Sequence, residues 1–155
     1  MFGIKHFRWR KRYMFTVLAL LVFSLLSCSS KIKFVTLEAT QDLNKGGNAC
    51  FVCIYQLRND MDFKRTPVES FWTEGEKPFE ADIVDKPVCE TLIPGDEAYI
   101  DITILDETNF IGVAADFREP DKERWRQVYA IPSKKPKEIR IIVGSNTVRI
   151  EAYRP

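Results

Sequence analysis

The hydrophobic residues of this 155-residue chain are arranged in two different patterns. Residues 14–26 form a predominantly apolar run without a charged side chain, and five Lys and Arg residues precede it. From residue 34 onward, short apolar stretches alternate with polar positions and are separated by Gly, Pro, Asn and Asp. The first pattern is typical of a signal peptide, because the run is shorter than the roughly 20 apolar residues that span a bilayer. The second pattern predicts β-strands joined by turns.

The alternating region predicts a fold that is mainly β. Residues 100–104 place Ile at every second position, which is the pattern of a half-buried strand. Residues 110–117 are apolar except for Asp116 and predict a central strand. Seven or eight strands at this spacing favour a two-sheet β-sandwich. The predicted strands are 34–40, 50–58, 88–93, 100–104, 110–117, 125–131, 139–143 and 148–152.

One short helix is predicted between the second and third strands. Thr66 can cap it, and Pro67 suits its first position, where a missing N–H costs nothing. Val68, Phe71 and Trp72 then share one face. A helix of about two turns is unstable alone, so we expect it to dock on the sandwich.

The residues that end the apolar run, Leu25-Leu-Ser-Cys28, predict covalent lipidation. They resemble the lipobox of bacterial lipoproteins, in which the Cys thiol receives lipid and the preceding peptide is removed. We therefore predict a signal peptide (1–27), a lipidated tether (28–33) and a β-sandwich domain (34–155). By the same resemblance, Ser29 directly after Cys28 favours the periplasmic face of the outer membrane. The alternative is an uncleaved N-terminal membrane anchor that carries Cys28 by chance.

Composition narrows the chemistry that the mature chain can perform. Removal of residues 1–27 takes away five of the 23 basic residues and none of the 22 acidic ones, which leaves 18 basic and 22 acidic side chains and a net charge of −4. This balance does not fit nucleic-acid binding. The single histidine, His6, lies in the removed segment, which excludes a Ser-His-Asp or Cys-His site and the commonest metal ligand. We predict no enzyme activity, no metal site and no cofactor.

Three cysteines remain, and an oxidising compartment allows one bridge and one free thiol. Cys50 and Cys53 have the spacing of a redox motif, but they lie on a predicted strand, where residues three apart point to opposite faces. We favour a structural bridge from Cys89 to either of them over redox catalysis. The pair Cys50–Cys89 is slightly preferred, because Cys53 falls on the strand face that carries Phe51 and Tyr55.

Candidate contact residues lie in one loop and one strand. Residues 41–48 consist of turn-forming side chains and include Gly46-Gly47, so they predict an exposed loop. The two glycines indicate either a turn or the flexibility of a docking loop.

Trp125 and Arg126 are the candidates on the strand, because Trp and Arg are enriched at interaction hot spots. Because neighbouring strand residues point to opposite faces, we expect Trp125 to pack and Arg126 to be exposed.

A series of ordered motifs is similar to one family, the outer-membrane lipoproteins of the type VI secretion system (TssJ or SciN). The block at 110–118 followed by Trp-Arg is its most specific part, and the motifs span residues 28–131. The cysteines at 50, 53 and 89 lie outside the pattern. After the lipobox, the matching segments are Asp42-Leu-Asn44, Tyr55-Gln-Leu57, Ser70-Phe-Trp72, Leu92-x-Pro-Gly-Asp96, Phe110-Ile-Gly-Val-Ala-Ala-Asp-Phe-Arg118 and Trp125-Arg126.

This resemblance implies a transthyretin-like β-sandwich with a short added helix, tethered by lipid to the periplasmic face of the outer membrane. It implies docking onto the periplasmic C-terminal domain of TssM, the large inner-membrane subunit. The partner-binding positions that it implies are Gln41, Asp42, Leu43, Asn44, Lys45, Gly46, Gly47 and Asn48.

Two other classes of function stay open on the residues alone. A lipid-anchored carrier of a small periplasmic ligand would need a large apolar pocket with a few polar groups. A thiol redox enzyme would need a low thiol pKa or a readily reduced bridge at Cys50 and Cys53. We prefer the docking lipoprotein, which acts by contact and without turnover.

Overall fold

The computed structural model describes residues 32–133 and 135–153. The predicted signal peptide and the predicted lipidation site, Cys28, lie outside these residues. Eight strands occur in the described part of the chain. They are β1 (Ile32–Ala39), β2 (Cys50–Leu57), β3 (Ile83–Leu92), β4 (Glu97–Ile102), β5 (Phe110–Asp116), β6 (Arg126–Ala130), β7 (Glu138–Val143) and β8 (Val148–Tyr153).

The strands form two four-stranded sheets, which confirms the predicted two-sheet β-sandwich. The first sheet has the order β4-β1-β7-β8 and the second has the order β3-β2-β5-β6. β1 and β7 run parallel, and every other pair is antiparallel. β1 begins at Ile32, so two residues of the predicted tether belong to the sandwich.

The first sheet buries mainly one face. Ile139 and Ile141 of β7 are fully buried, whereas Arg140 between them is half-buried. In β1, Leu37 is fully buried, but Thr36 on the other face is buried as well. This period of two follows from the pleat, which sends successive side chains to opposite faces. The hydrophobic alternation in the sequence therefore predicts these strands directly.

The two central strands of the second sheet, β2 and β5, are buried on both faces, because short helices cover the outer side. These are α2 (Met61–Arg65), α3 (Val68–Glu74) and a 3₁₀ helix (Lys77–Asp82). The ring of Tyr55 on β2 lies 5.4 Å from that of Phe63, 5.9 Å from Phe71 and 5.5 Å from Phe79, measured between centroids. We call these four side chains the aromatic cluster. It explains why β2 is apolar at nearly every position instead of alternating.

The predicted helix forms, but its start differs from the prediction. α3 has Pro67 at its N-cap position, and no side chain caps it. Thr66 instead ends α2, because its hydroxyl donates a 2.7 Å hydrogen bond to the carbonyl of Asp62. Phe71 is buried, and Val68 and Trp72 pack against the core as expected.

Trp125 is buried, as predicted, and its ring lies 5.0 Å from that of Phe71. Arg126 is half-buried and not exposed, so that part of the expectation is wrong. Its guanidinium donates to the carbonyls of Phe63 at 2.6 Å, Thr66 at 2.5 Å and Lys64. It thus satisfies carbonyls at the C-terminal end of α2, which a short helix leaves without intrahelical partners. Arg126 therefore connects the C-terminal end of α2 to β6 by hydrogen bonds.

The predicted Cys50–Cys89 bridge is wrong, because the structure pairs Cys53 with Cys89. These two residues face each other in the antiparallel register of β2 and β3, with their Cα atoms 4.1 Å apart. Cys50 lies opposite Leu92 and keeps a buried thiol. The faces of β2 alone do not decide which thiols meet, because this depends on the register of the neighbouring strand β3.

The strand directions give the sandwich two distinct ends. The first end, where β1 begins, also carries the starts of β3, β5 and β7, and we call it the tether end. The opposite end carries residues 40–49, 93–96, 117–125 and 144–147, and we call it the loop end. A strand of eight residues such as β1 spans roughly 25 Å between the two ends. No helix among the described residues is long and apolar enough to cross a membrane.

Candidate docking surface

The eight loop residues predicted to bind a partner lie together at the loop end, but they are not uniformly exposed. They include one tight turn, α1 (Leu43–Gly46), in which Asn44 and Lys45 have non-helical backbone angles. Leu43 and Asn44 are buried, so the expectation of an exposed loop is wrong at these two positions. Asn48 is half-buried. The exposed members are Gln41, Asp42, Lys45, Gly46 and Gly47.

Asn44 holds the loop against the sandwich. Its side-chain oxygen accepts a hydrogen bond from the backbone N–H of Arg118 at 2.8 Å, and its side-chain amide donates to the carbonyl of Ala49 at 2.7 Å. Its φ of 52° lies in the left-handed region, which Asn tolerates better than most residues. Asn44 therefore belongs to the support of the loop and not to its contact face.

The backbone fastens the same loop to the β7–β8 hairpin. The N–H of Asn44 donates to the carbonyl of Gly144 at 3.3 Å, and the N–H of Lys45 donates to that of Ser145 at 2.9 Å. The N–H of Thr40 donates to the carbonyl of Val143 at 3.0 Å. The loop and the hairpin consequently form one continuous surface.

The two glycines serve a turn with an unusual backbone. Gly46 has a φ of 106° and Gly47 a φ of 79°, and they follow two other residues with positive φ, Asn44 and Lys45. Glycine adopts such angles without steric cost. The N–H of Gly47 donates to the carbonyl of Leu43 at 3.0 Å and closes the turn. This geometry favours the turn interpretation of Gly46-Gly47 over that of a loose segment.

Besides the β7–β8 hairpin, two neighbouring loops contact the docking loop. Lys45 pairs with Glu119 of the β5–β6 connection, and this hydrogen-bonded ammonium lowers the pKa of the Glu119 carboxyl. Gln41 lies against the turn before β4. A Cβ placed on Gly95 in that turn would come within 2.5 Å of the side-chain nitrogen of Gln41. No local pattern in the sequence points to Glu119, since only the topology brings residues 117–125 to the loop end.

The thiol chemistry does not match a redox site. Burial, reinforced by the nearby charge of Asp116, raises the pKa of the Cys50 thiol to about 12. A reactive cysteine has a lowered pKa instead. Cys53, the proposed redox partner of Cys50, is bridged to Cys89. Within residues 32–133 and 135–153, no three His, Cys, Asp or Glu side chains are grouped so that they could hold a metal ion.

Two grooves on the surface are open, and each has a mixed polar and apolar lining. One, of about 330 Å³, lies beside Arg126 and is lined also by Lys64 and Glu123. The other, of about 310 Å³, lies beside the predicted docking loop and is lined by Asp42 and Arg149 among others. Neither is the apolar pocket that a small-ligand carrier would use.

The described residues thus form an eight-stranded β-sandwich with a firmly supported loop at one end. A family model described as "T6SS-SciN: Type VI secretion lipoprotein, VasD, EvfM, TssJ" matches residues 32–146. The chain belongs to this family of type VI secretion lipoproteins, which confirms the resemblance found in the sequence motifs.

Solved structures agree with this family. The chain is 26% identical to a chain of the type VI secretion lipoprotein TssJ1 from Pseudomonas aeruginosa, over 79% of this chain and 95% of that chain, with a TM-score of 0.69. It is 25% identical to a chain in a structure of the type VI membrane complex, over 77% of this chain and 96% of that chain, with a TM-score of 0.68. It is also 25% identical to a chain in a structure described as the TssM C-terminal domain from EAEC, over 79% and 98% of the two chains, with a TM-score of 0.64. A comparison with curated proteins gave no significant match.

Proposed function

We propose that this lipoprotein connects the outer membrane to TssM, the large inner-membrane subunit of the type VI secretion system. Lipid on Cys28 would hold it to the periplasmic face of the outer membrane, and the loop at 41–48 would dock onto the periplasmic C-terminal domain of TssM. The protein would act by bridging, not by catalysis. Similar chains occur in structures described as the type VI membrane complex and the TssM C-terminal domain, which supports this partner.

The observation that carries the proposal is the separation of the two ends of the sandwich. Cys28 precedes Ile32, the first residue of β1, by four residues, so the chain between them reaches at most about 14 Å. β1 then runs roughly 25 Å and delivers the chain directly into the loop at 41–48. An anchored sandwich would thus present the loop away from the membrane, where a periplasmic domain can reach it.

Within the loop, buried and exposed residues would have different roles. Leu43 and Asn44 would keep the loop in shape, and their rigidity lowers the entropy lost on binding. The contacts would come from Gln41, Asp42, Lys45, Gly46 and Gly47. A test of docking must therefore change exposed positions only, because a change at Asn44 also disturbs the fold.

The test is calorimetric titration of the full-length lipoprotein, purified in detergent, with the periplasmic C-terminal domain of TssM. We expect saturable binding that weakens at least about tenfold in the double variant Asp42→Ala and Lys45→Ala, as for the loss of an interface hot spot. The matched control removes one acid and one base at the tether end, Asp101→Ala and Lys137→Ala, and should bind like the wild type. Absence of binding with both proteins folded would contradict the proposed function.

A further inference from the structure

A groove beside the docking loop extends the surface beyond the loop residues, and it shares only Asp42 with them. It has a volume of about 310 Å³ and lies between the end of β1 and the β7–β8 hairpin. Thr40 and Asp42 line it on the loop side, and Ile142, Thr147 and Arg149 line it on the hairpin side. The sequence motifs of the family end before this hairpin, so they do not point to its residues Ile142, Thr147 and Arg149.

The walls of the groove are fixed by backbone hydrogen bonds. The N–H of Thr40 donates to the carbonyl of Val143 at 3.0 Å and joins the two walls. The N–H of Gly144 donates to the carbonyl of Thr147 at 2.9 Å and closes the hairpin turn. A partner that contacts the loop therefore meets a preformed groove next to it, and binding there needs little ordering.

The groove contains one cation that is not paired within the described residues. Arg149 is exposed and forms no ion pair with any acid in residues 32–133 or 135–153. The acid on the opposite wall, Asp42, already accepts a 2.6 Å hydrogen bond from the hydroxyl of Thr40. Glu151 is the next residue after Arg149 on the same face of β8, and its carboxylate accepts a hydrogen bond from the hydroxyl of Tyr153.

An apolar side chain lies directly beside this cation. Ile142 and Arg149 are opposite each other in the register of β7 and β8, so both project from the same face of the first sheet. Ile142 is half-buried and offers apolar surface at the base of the groove. A guanidinium beside an apolar contact suits an acidic side chain, whose methylene groups pack while its carboxylate takes two parallel N–H bonds.

We propose that this groove receives an Asp or Glu side chain of the TssM C-terminal domain, paired with Arg149 and packed on Ile142. The inference rests on the proposed docking function and extends the docking surface from the loop to the β7–β8 hairpin. Arg149 then acts as a specificity residue, because a partner without an acid at this point leaves the guanidinium unpaired in a buried contact.

The test compares two arginines in the titration of the full-length lipoprotein with the TssM C-terminal domain. Arg149→Glu reverses the charge in the groove, and we expect at least about tenfold weaker binding. Arg149→Lys keeps the charge but loses the planar fork of the guanidinium. Its affinity should therefore lie between those of the wild type and Arg149→Glu. Arg65→Glu is the matched control, because Arg65 is exposed on α2 and likewise forms no ion pair among the described residues. It should bind like the wild type, and equal thermal midpoints would show that all variants fold.

The outcomes separate this inference from the docking function. If Arg149→Glu binds like the wild type while the double variant at Asp42 and Lys45 loses affinity, the groove is not a contact site and docking by the loop stands. If Arg65→Glu weakens binding as much as Arg149→Glu, a general charge effect replaces the specific pair and the inference fails. If the wild type does not bind at all, the docking function fails and the inference fails with it.

Discussion

Gly112 lies on β5 directly beneath the aromatic cluster, at a point where any side chain meets its neighbours. A Cβ placed on Gly112 would come within 2.9 Å of the Leu57 side chain and 3.0 Å of the Phe63 ring. Its role depends on this close approach and not on backbone freedom. Gly112 belongs to the family-specific block at 110–118, so that part of the block has a packing explanation.

We predict that Gly112→Ala lowers the free energy of unfolding by about 1–3 kcal/mol, because an added methyl overpacks the layer between β5 and α2. The matched control is Gly144→Ala, whose nearest neighbour would be the Thr147 hydroxyl at 3.4 Å. It should change stability by no more than about 0.5 kcal/mol. Urea denaturation measures both, and equal effects at the two glycines would contradict the account.

Single residues also mark the limit of sequence-based prediction. Burial of Trp125, which directly precedes β6, follows from its size and its apolar ring. The half-buried state of Arg126 does not, because its acceptors belong to a helix about 60 positions earlier in the chain. The same holds for Asn44, whose polar side chain indicates a surface position until its bonds to Arg118 and Ala49 are known.

At the scale of elements, strands that bury one face are predictable and the others are less so. β7 and β8 follow the alternation of period two closely. β3 begins at Ile83, five residues before its predicted start at residue 88, because Asp85, Lys86 and Pro87 interrupt the apolar pattern. Pro87 is tolerated because β3 lies at the edge of the second sheet. The sequence pattern does not predict α2, because a helix of five residues with one buried side chain has no detectable periodicity.

The bridge between β2 and β3 yields a prediction at this scale. Cys53 and Cys89 are 36 residues apart, so their bridge restricts a long loop of the unfolded chain. We expect the double variant Cys53→Ala and Cys89→Ala to lose about 3–4 kcal/mol of stability. Cys50→Ala is the control and should lose about 1 kcal/mol, since only a buried sulfur is removed.

Denaturation with and without reductant completes that test. Reductant should destabilise the wild type and Cys50→Ala but leave the double variant unchanged. If Cys50→Ala instead carries the larger loss and becomes insensitive to reductant, Cys50 forms the bridge and the register of β2 and β3 is different.

At the scale of the whole molecule, the proposed function depends on two ends that serve different partners. The sandwich fold, the family and the place of the loop between β1 and β2 follow from the sequence pattern and its motifs. The opposition of the two ends, the support from Asn44 and the groove at Arg149 do not, because each depends on contacts between segments that are far apart in the chain.

We predict that Cys28→Ala releases the protein from the outer membrane. Without the thiol no lipid can be attached, and two or more acyl chains are needed for stable anchoring. Separation of inner and outer membranes on a density gradient, followed by immunoblotting, checks this. An unchanged outer-membrane fraction of the variant would contradict the lipid anchor, and Cys50→Ala serves as the control for a change at another cysteine.

The central claim is that the loop end, and not the tether end, contacts TssM. Its most direct test is photo-cross-linking in cells that assemble the secretion system, with a photoreactive amino acid in place of either Lys45 or Lys137. Both lysines are exposed, and they lie at opposite ends of the sandwich. The account predicts a cross-link to TssM from position 45 and none from position 137. A cross-link from position 137 alone would contradict it.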